Sequence, residues 1–343
     1  MSGSGRLLVC SYLEPDLVER IRLAQPDLDV IDVPELLPVP RYPCDHGGAV
    51  RELSAAELAH WDALLAGAEI CFDFDWRDPA HLPARAPELR WVQATSAGIG
   101  GYVERLGIAD AGIAFTTAAG VHAVPLAEFV LAGVLHFVKD IPYLERMQAE
   151  KRWERYAAGA LAGRRALVVG LGSIGRQVAA VLAAMGVEVW GAGRPGHHYE
   201  LAAASRIGST DRLGELLPHC SIVVLCTPLT AETEGLIGAS ELAAMPAGTI
   251  LVNIARGQVV DEPALIDALA RRHLGGAALD VTSTEPLPIA SPLWGMDNVL
   301  ISPHSASTLV TENATIVELF CDNLDRYRAG QPLRNRFDPV AGY

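Results

Sequence analysis

The stretch Val168-Val169-Gly170-Leu171-Gly172-Ser173-Ile174-Gly175-Arg176-Gln177 limits what this chain can fold into more than any other segment. An apolar run stops at a glycine cluster, and a helical pattern follows. Strand, G-x-G-x-x-G and helix in that order are the layout of a dinucleotide-binding turn. Gly170 allows the tight turn, Gly172 lets the backbone approach a pyrophosphate, and Gly175 lets the helix pack against the strand. The diphosphate would sit on free N–H groups at the positive end of the helix. The turn begins in mid-chain, so something other than a nucleotide domain precedes it.

A length of 343 residues suggests two domains, and a half-hydrophobic composition supplies two cores. The net charge of −14 disfavours nucleic acid and anionic membranes as partners. Six scattered cysteines, with no C-x-x-C pair, read as free thiols in a reducing cytoplasm, with no metal site. The longest apolar run, residues 123–138, carries Glu128 and His136 and falls short of the roughly 20 residues that span a bilayer. It reads as a buried or interfacial helix.

Strand-like runs at 6–11, 28–33, 68–74 and 89–94, with helical patterns at 14–23 and 54–65 between them, suggest a parallel sheet in the first part. Ser96-Ala97-Gly98-Ile99-Gly100-Gly101 is a second glycine-rich turn, with the 123–138 helix next after it, and residues 149–160 read as a connector. Strands are then expected at 166–170, 187–191, 221–226, 249–253, 276–281 and 298–301, which fits a doubly wound domain. A last helix within 307–329 is expected to return to the first domain.

Nucleotide sites for NAD usually end the second strand on an acid that binds the adenosine ribose. Here Gly193 stands at that place and Arg194 follows. Without the acid, nothing repels a 2′-phosphate, and an arginine can pair with it. The expected cofactor is therefore NADP or NAD, with NADPH favoured.

Three later segments place polar residues just after predicted strands: Val252–Asp261 with Arg256, Gly276–Pro288 with Glu285, and Ile301–Ala306 with His304. Loops at the carboxyl ends of strands face the ligand crevice in an open α/β sheet, so the three can converge. His304 suits protonation of a carbonyl oxygen as hydride reaches its carbon, because histidine titrates near neutrality. Glu285 would orient the imidazole. Arg256 would grip a carboxylate or polarise the carbonyl with a fixed donor fork.

With these residues in view, the chain resembles the D-isomer-specific 2-hydroxyacid dehydrogenase family. The resemblance runs from about Gly120 to Ser307 and rests on Gly170–Gly175, Thr227-Pro228-Leu229-Thr230-Ala231-Glu232-Thr233, Asn253–Asp261, Leu279–Pro286 and Pro303-His304. It implies two Rossmann-like or flavodoxin-like doubly wound parallel-sheet domains. The dinucleotide-binding domain (120–307) would be inserted into a substrate domain made of 1–119 and 308–343. It implies Arg256, Glu285 and His304 as the catalytic set. The cofactor set would be Gly170, Gly172, Ser173, Ile174, Gly175, Thr227, Pro228, Thr233, Ile254, Ala255, Asp280 and Ala306, joined by Arg194. Asp280 would lie near the nicotinamide carboxamide. Ser96, Ala97 and Gly98 would hold the substrate carboxylate on backbone N–H groups, together with Arg256 and His304.

The chain departs from the family pattern at Thr282-Ser283, where Phe-Glu is common, and at Ser305-Ala306-Ser307, where a glycine is common. No lysine lies near 90–105, which weighs against a doubly charged substrate such as phosphite. The implied activity is hydride transfer between NAD(P)H and a small 2-keto or 2-hydroxy acid, with glyoxylate and hydroxypyruvate as first candidates. The alternative is an NAD(H)-sensing, corepressor-like interaction protein on the same fold. Substrate specificity is expected in Cys44–Val50, Phe72–Arg77 and Ser96–Tyr102. Trp153 and Trp294 read as core or interface residues, and the apolar 123–138 helix suggests a homodimer.

Overall fold

A computed structural model describes residues 5–339, so the outermost residues of the expected substrate domain lie outside the described chain. The chain divides into two compact units. One runs through Val121 and resumes at Thr308; the other is His122–Ser307.

The first unit begins β1 (Arg6–Val9), α1 (Pro15–Ala24), β2 (Asp29–Ile31), α2 (Ala55–Ala66) and β3 (Ile70–Phe72). It continues α3 (Leu82–Arg85), β4 (Trp91–Gln93), α4 (Gly100–Leu106) and β5 (Ala114–Thr116). Its five strands are all parallel, in the order β2-β1-β3-β4-β5. Ser54 caps α2 in a full capping box with Glu57, as the Ser-Ala-Ala-Glu spacing leads one to expect. The chain returns to this unit with its last helix, Glu312–Arg328. On that helix Phe320 packs 5.2 Å from the ring centroids of both Phe72 and Trp91.

In order from Ala123, the second unit contains α5 (Ala123–Val138), α6 (Ile141–Ala149), β6 (Arg165–Val169), α7 (Ser173–Ala184), β7 (Glu188–Gly193) and β8 (Ala204–Ser209). Then come α8 (Leu213–Leu216), β9 (Ile222–Leu225), α9 (Ala239–Ala244), β10 (Thr249–Asn253), α10 (Glu262–Ala270), β11 (Leu274–Leu279) and β12 (Val299–Ile301). The Glu312–Arg328 helix is thus α11. The seven strands are parallel, in the order β12-β11-β10-β9-β6-β7-β8. The order reverses at β6, the strand that feeds the glycine turn, with apolar cores on both sheet faces. Two parallel-sheet α/β domains are therefore present, one built into the other along the chain.

Several expectations need correction. The Ser96–Gly101 turn does not lead directly to α5, because α4 and β5 intervene. The expected connector at 149–160 is present as irregular chain between α6 and β6, but α6 itself, Ile141–Ala149, was not expected. β8 was not expected at all. Trp153 is 99% exposed and Trp294 56%, so neither is a core residue. No helix among the described residues is long and apolar enough to cross a membrane.

Candidate active site

The glycine turn is built by close packing rather than by looseness. Gly170 has φ 97°, and a Cβ there would lie 2.7–2.8 Å from backbone atoms of Cys226 and Thr227. A Cβ on Gly175 would lie 1.9 Å from the Gly170 carbonyl oxygen. Gly172, by contrast, faces open space and is exposed. It caps α7, whose first N–H groups have no partner inside the helix. Beside the turn, the Thr227 hydroxyl is buried without a hydrogen-bond partner. An open backbone at a helix N-terminus and an orphaned buried hydroxyl fit a dinucleotide pyrophosphate.

Arg194 lies exposed just beyond β7, and its N–H donates to the Tyr199 hydroxyl at 3.2 Å. The Tyr199 ring covers Gly193 so closely that a Cβ there would lie 2.2 Å from it. An acidic side chain at this strand end has no room while the ring stays in place. Pro228 follows Thr227, and its carbonyl accepts from the Thr233 hydroxyl at 2.6 Å. That hydroxyl also accepts from Thr230 N–H at 2.8 Å, so Thr233 closes its own turn. Ile254 and Ala255 are buried beyond β10.

The acid–base pair is direct. His304 Nδ1 lies 2.7 Å from Glu285 Oε2, with the side chains 44% and 39% exposed. Nδ1–H donating to the carboxylate leaves Nε2 as the nitrogen able to exchange a proton with a ligand. Glu285 is steadied by Thr282 N–H, which donates to Oε1 at 3.2 Å. His304 itself is held at φ 54°, and its N–H donates to the Asp280 carbonyl at 2.9 Å. One Asp280 carboxylate oxygen accepts from Ser302 Oγ (2.6 Å), Ser305 N–H (2.9 Å) and Ala306 N–H (2.9 Å).

Arg256 is partly buried, and its Nη1 donates to the Ala255 carbonyl at 2.7 Å. Burial pushes the guanidinium down from its ordinary value, against the opposing pull of Glu285 and Asp280. Among the described residues it has no carboxylate within salt-bridge distance. A desolvated fork without a counter-ion is a receptor for an anionic ligand.

Two positioning residues escaped the sequence reading. Asn253 Oδ1 accepts from Ala255 N–H at 3.0 Å, and its Nδ2 donates to the Arg256 carbonyl at 3.2 Å, so it shapes the Arg256 turn. Gly257 is the closer constraint, because a Cβ there would lie 2.0 Å from the Thr282 carbonyl carbon and oxygen. The Arg256 turn and the Glu285 loop therefore lie in direct backbone contact. Asn253 could have been suspected as a polar residue ending an apolar strand. Gly257 stands in the Asn253–Asp261 segment, but no local pattern there signals its contact with Thr282.

In the five-stranded unit, Ser96 and Gly98 are exposed beyond β4, and the Ala97 N–H has no partner among the described residues. The Gly98 N–H makes only a long contact to Ser96 Oγ, 3.4 Å. The three expected specificity segments, scattered in sequence, meet around one cavity of this unit.

Residues 131–306 match the family model for the NAD binding domain of D-isomer specific 2-hydroxyacid dehydrogenases. An (S)-sulfolactate dehydrogenase of Chromohalobacter salexigens is 34% identical over 71% of this chain and 79% of its own length. A D-3-phosphoglycerate dehydrogenase of Escherichia coli is 35% identical over 52% of this chain; the chain spans only 44% of that relative's length. The crystal structure of a D-isomer specific 2-hydroxyacid dehydrogenase from Xanthobacter autotrophicus Py2, in complex with NADPH and MES, superposes with a TM-score of 0.78. It is 35% identical and covers 99% of this chain and 100% of its own.

Proposed function

The chain belongs to the D-isomer specific 2-hydroxyacid dehydrogenases, NAD(P)-dependent oxidoreductases, and on that premise we propose that it interconverts a small 2-keto acid and its 2-hydroxy acid, with NADPH preferred. The observation that carries the reading is the His304–Glu285 pair at 2.7 Å beside a desolvated arginine without a counter-ion. When bound, the cofactor supplies the hydride. Gly170, Gly172, Ser173, Ile174 and Gly175 hold its pyrophosphate, with Thr227 and Pro228 beside them. Thr233, Ile254, Ala255, Asp280 and Ala306 complete the cofactor set.

The substrate carboxylate is bound by the backbone N–H groups of Ser96, Ala97 and Gly98. Arg256 presents its fork to the substrate and draws charge toward the carbonyl oxygen. His304 delivers the proton from Nε2 to that oxygen during reduction and recovers it during oxidation. Glu285, at Nδ1, keeps the ring in the required orientation. A glyoxylate-like or hydroxypyruvate-like acid is the expected substrate.

NADPH preference rests on Gly193 under the Tyr199 ring and on the neighbouring Arg194. Six free cysteines support a reducing cytoplasm as the compartment. A homodimer through α5 is supported by Val124 and, beyond the helix, Leu144 and Trp153, all exposed apolar residues of the same unit. The acidic charge argues against nucleic acid and membranes as partners.

The test is the loss of NADPH or NADH absorbance with a panel of 2-keto acids, for the native enzyme and His304→Ala. Turnover by the native enzyme, abolished in the variant with cofactor affinity kept within about threefold, is the expected result. Near-normal kcat in His304→Ala would overturn the assignment of the acid.

A further inference from the structure

A cavity of about 420 Å³ opens within the five-stranded unit, just beyond the carboxyl ends of β1, β3 and β4. The sheet order reverses at β1, and in open α/β sheets such a switch point is where a ligand binds. Cys10, Asp73 and Ser96 line it from the three strand ends.

Asp73 is its most constrained residue. It adopts φ 70°, a left-handed conformation that Asp and Asn take more readily than other residues with a side chain. Its carboxylate accepts from Phe74 N–H at 2.9 Å and from Thr95 Oγ1 at 3.0 Å. No lysine or arginine among the described residues pairs with it. Asp75, also in the lining, differs: Arg85 neutralises it, and Trp61 Nε1 donates to it at 2.9 Å. Tyr102 closes another wall, its ring edge-on to Phe74 at 5.1 Å. Arg105 lies 5.7 Å from the centre of the Tyr102 ring and is not part of the lining. His46 lines the cavity, with Nδ1 engaged by Ser11 Oγ at 3.1 Å. No lysine or arginine lines it.

We propose that this cavity receives the substituent of the 2-keto acid and that Asp73 sets its chemistry. It accepts a neutral tail that donates a hydrogen bond, such as a hydroxymethyl group, and rejects a second anionic group. The proposal rests on the reading of Ser96, Ala97 and Gly98 as the carboxylate loop, which lies in the same unit and borders the same cavity. A tail hydroxyl satisfies lone pairs that Asp73 leaves free, and an apolar tail of equal size forfeits that bond. A carboxylate, phosphate or sulfonate meets a like charge; at about 6 Å and an effective dielectric near 20 the repulsion amounts to tenfold to a hundredfold in binding.

The experiment compares kcat/KM for hydroxypyruvate, 2-ketobutyrate and oxaloacetate, which carry a hydroxyl, an apolar and a carboxylate tail. Assays use saturating NADPH at one fixed pH for all three acids. Hydroxypyruvate is expected to lead 2-ketobutyrate by severalfold and oxaloacetate by tenfold or more. Asp73→Asn keeps a side chain that tolerates the left-handed backbone, and it should narrow the hydroxypyruvate-to-oxaloacetate ratio about tenfold. Equal use of oxaloacetate by the native enzyme, or a ratio unmoved in a folded Asp73→Asn, overturns the proposal and leaves the family reaction standing. The native panel decides the matter even if the variant does not fold. Absence of turnover with every acid would instead overturn the reading of the reaction. Competition of the same three acids for the NADPH-loaded protein, read by calorimetry, then supports or overturns the pocket by their order of affinity.

Discussion

Gly257→Ala tests whether the site works as one assembled piece. The new Cβ would lie 2.0 Å from the carbonyl carbon and oxygen of Thr282 and 2.4 Å from Ser283 N. Real Cβ atoms essentially never approach closer than 3.0 Å, so the two backbones must part by at least about 1 Å (3.0 − 2.0). Neither neighbour is a flexible side chain that can swing away. The Thr282 side is tied down by Gln258 Nε2, which donates to the Ser283 carbonyl at 3.0 Å, and by Ser283 N–H, which donates to Glu262 at 2.8 Å. Parting them moves Arg256 away from the loop that carries Glu285. A 1 Å misplacement costs up to about a hundredfold in rate, and forced overpacking costs about 1–3 kcal/mol of stability. For a unit of this size that is a fall in Tm of roughly 2–12 °C. The assay pairs steady-state kinetics with a thermal melt and NADPH titration. Cofactor affinity should fall less than kcat/KM, because the glycine turn that would hold the pyrophosphate follows a different strand. Native kcat/KM together with native Tm would refute the coupling.

Thr227→Val removes a buried hydroxyl that has no partner, so the ligand-free protein should melt at the same temperature or higher, while NADPH affinity falls about threefold to tenfold in a fluorescence titration. Gly193→Asp alone should destabilise the protein, since its Cβ runs into the Tyr199 ring. Combined with Tyr199→Ala it should recover stability and move the kcat/KM ratio toward NADH. Hydrogen bonds from Arg165, then Trp190 and Ser205, hold the Glu188 carboxyl at about 2, below its ordinary 4.5. Its contribution to stability is thus complete above about pH 4.5 and is lost as the pH falls toward 2. Urea midpoints measured from pH 7 down to 2.5 should show a shallower acid decline in Glu188→Gln.

Strands β6, β9 and β10 were legible because a parallel strand covered on both faces reads as a continuous apolar run. β8 was not, because it sits at the sheet edge with Ser205, Arg206 and Ile207 exposed. In α4 the opening Gly100-Gly101 pair reads as a turn, and three-residue β5 is too short to show alternation. α6 did carry a signal, a proline in its first turn, which marks a helix start as readily as a loop. Arg256, Glu285 and His304 stood out as polar residues where strands end. The contact made by Gly257 depends on where a distant segment returns, which no local pattern encodes. The unpaired charge of Asp73 was equally hidden, since Asp75, two residues on, is neutralised by an arginine.

Asp280 shows how one residue type can hide two duties. Resemblance assigns it to the nicotinamide end of the cofactor, yet the geometry gives it a prior task. Its carbonyl and one carboxylate oxygen bind the N–H groups of His304, Ser305 and Ala306 and the Ser302 hydroxyl. His304 sits between these anchors in a left-handed conformation that costs an ordinary L residue about 1–3 kcal/mol. Hydrogen bonds to a charged acceptor contribute about 1.5–3 kcal/mol each, so the clamp outweighs the strain it imposes. The strained backbone aims the imidazole at Glu285, and the clamp makes that aim permanent. A change at Asp280 must therefore disturb proton transfer even if it never touches the cofactor. Weakened cofactor binding in an Asp280 variant argues for direct contact only if the His304–Glu285 pair, read from the pH profile, has stayed intact.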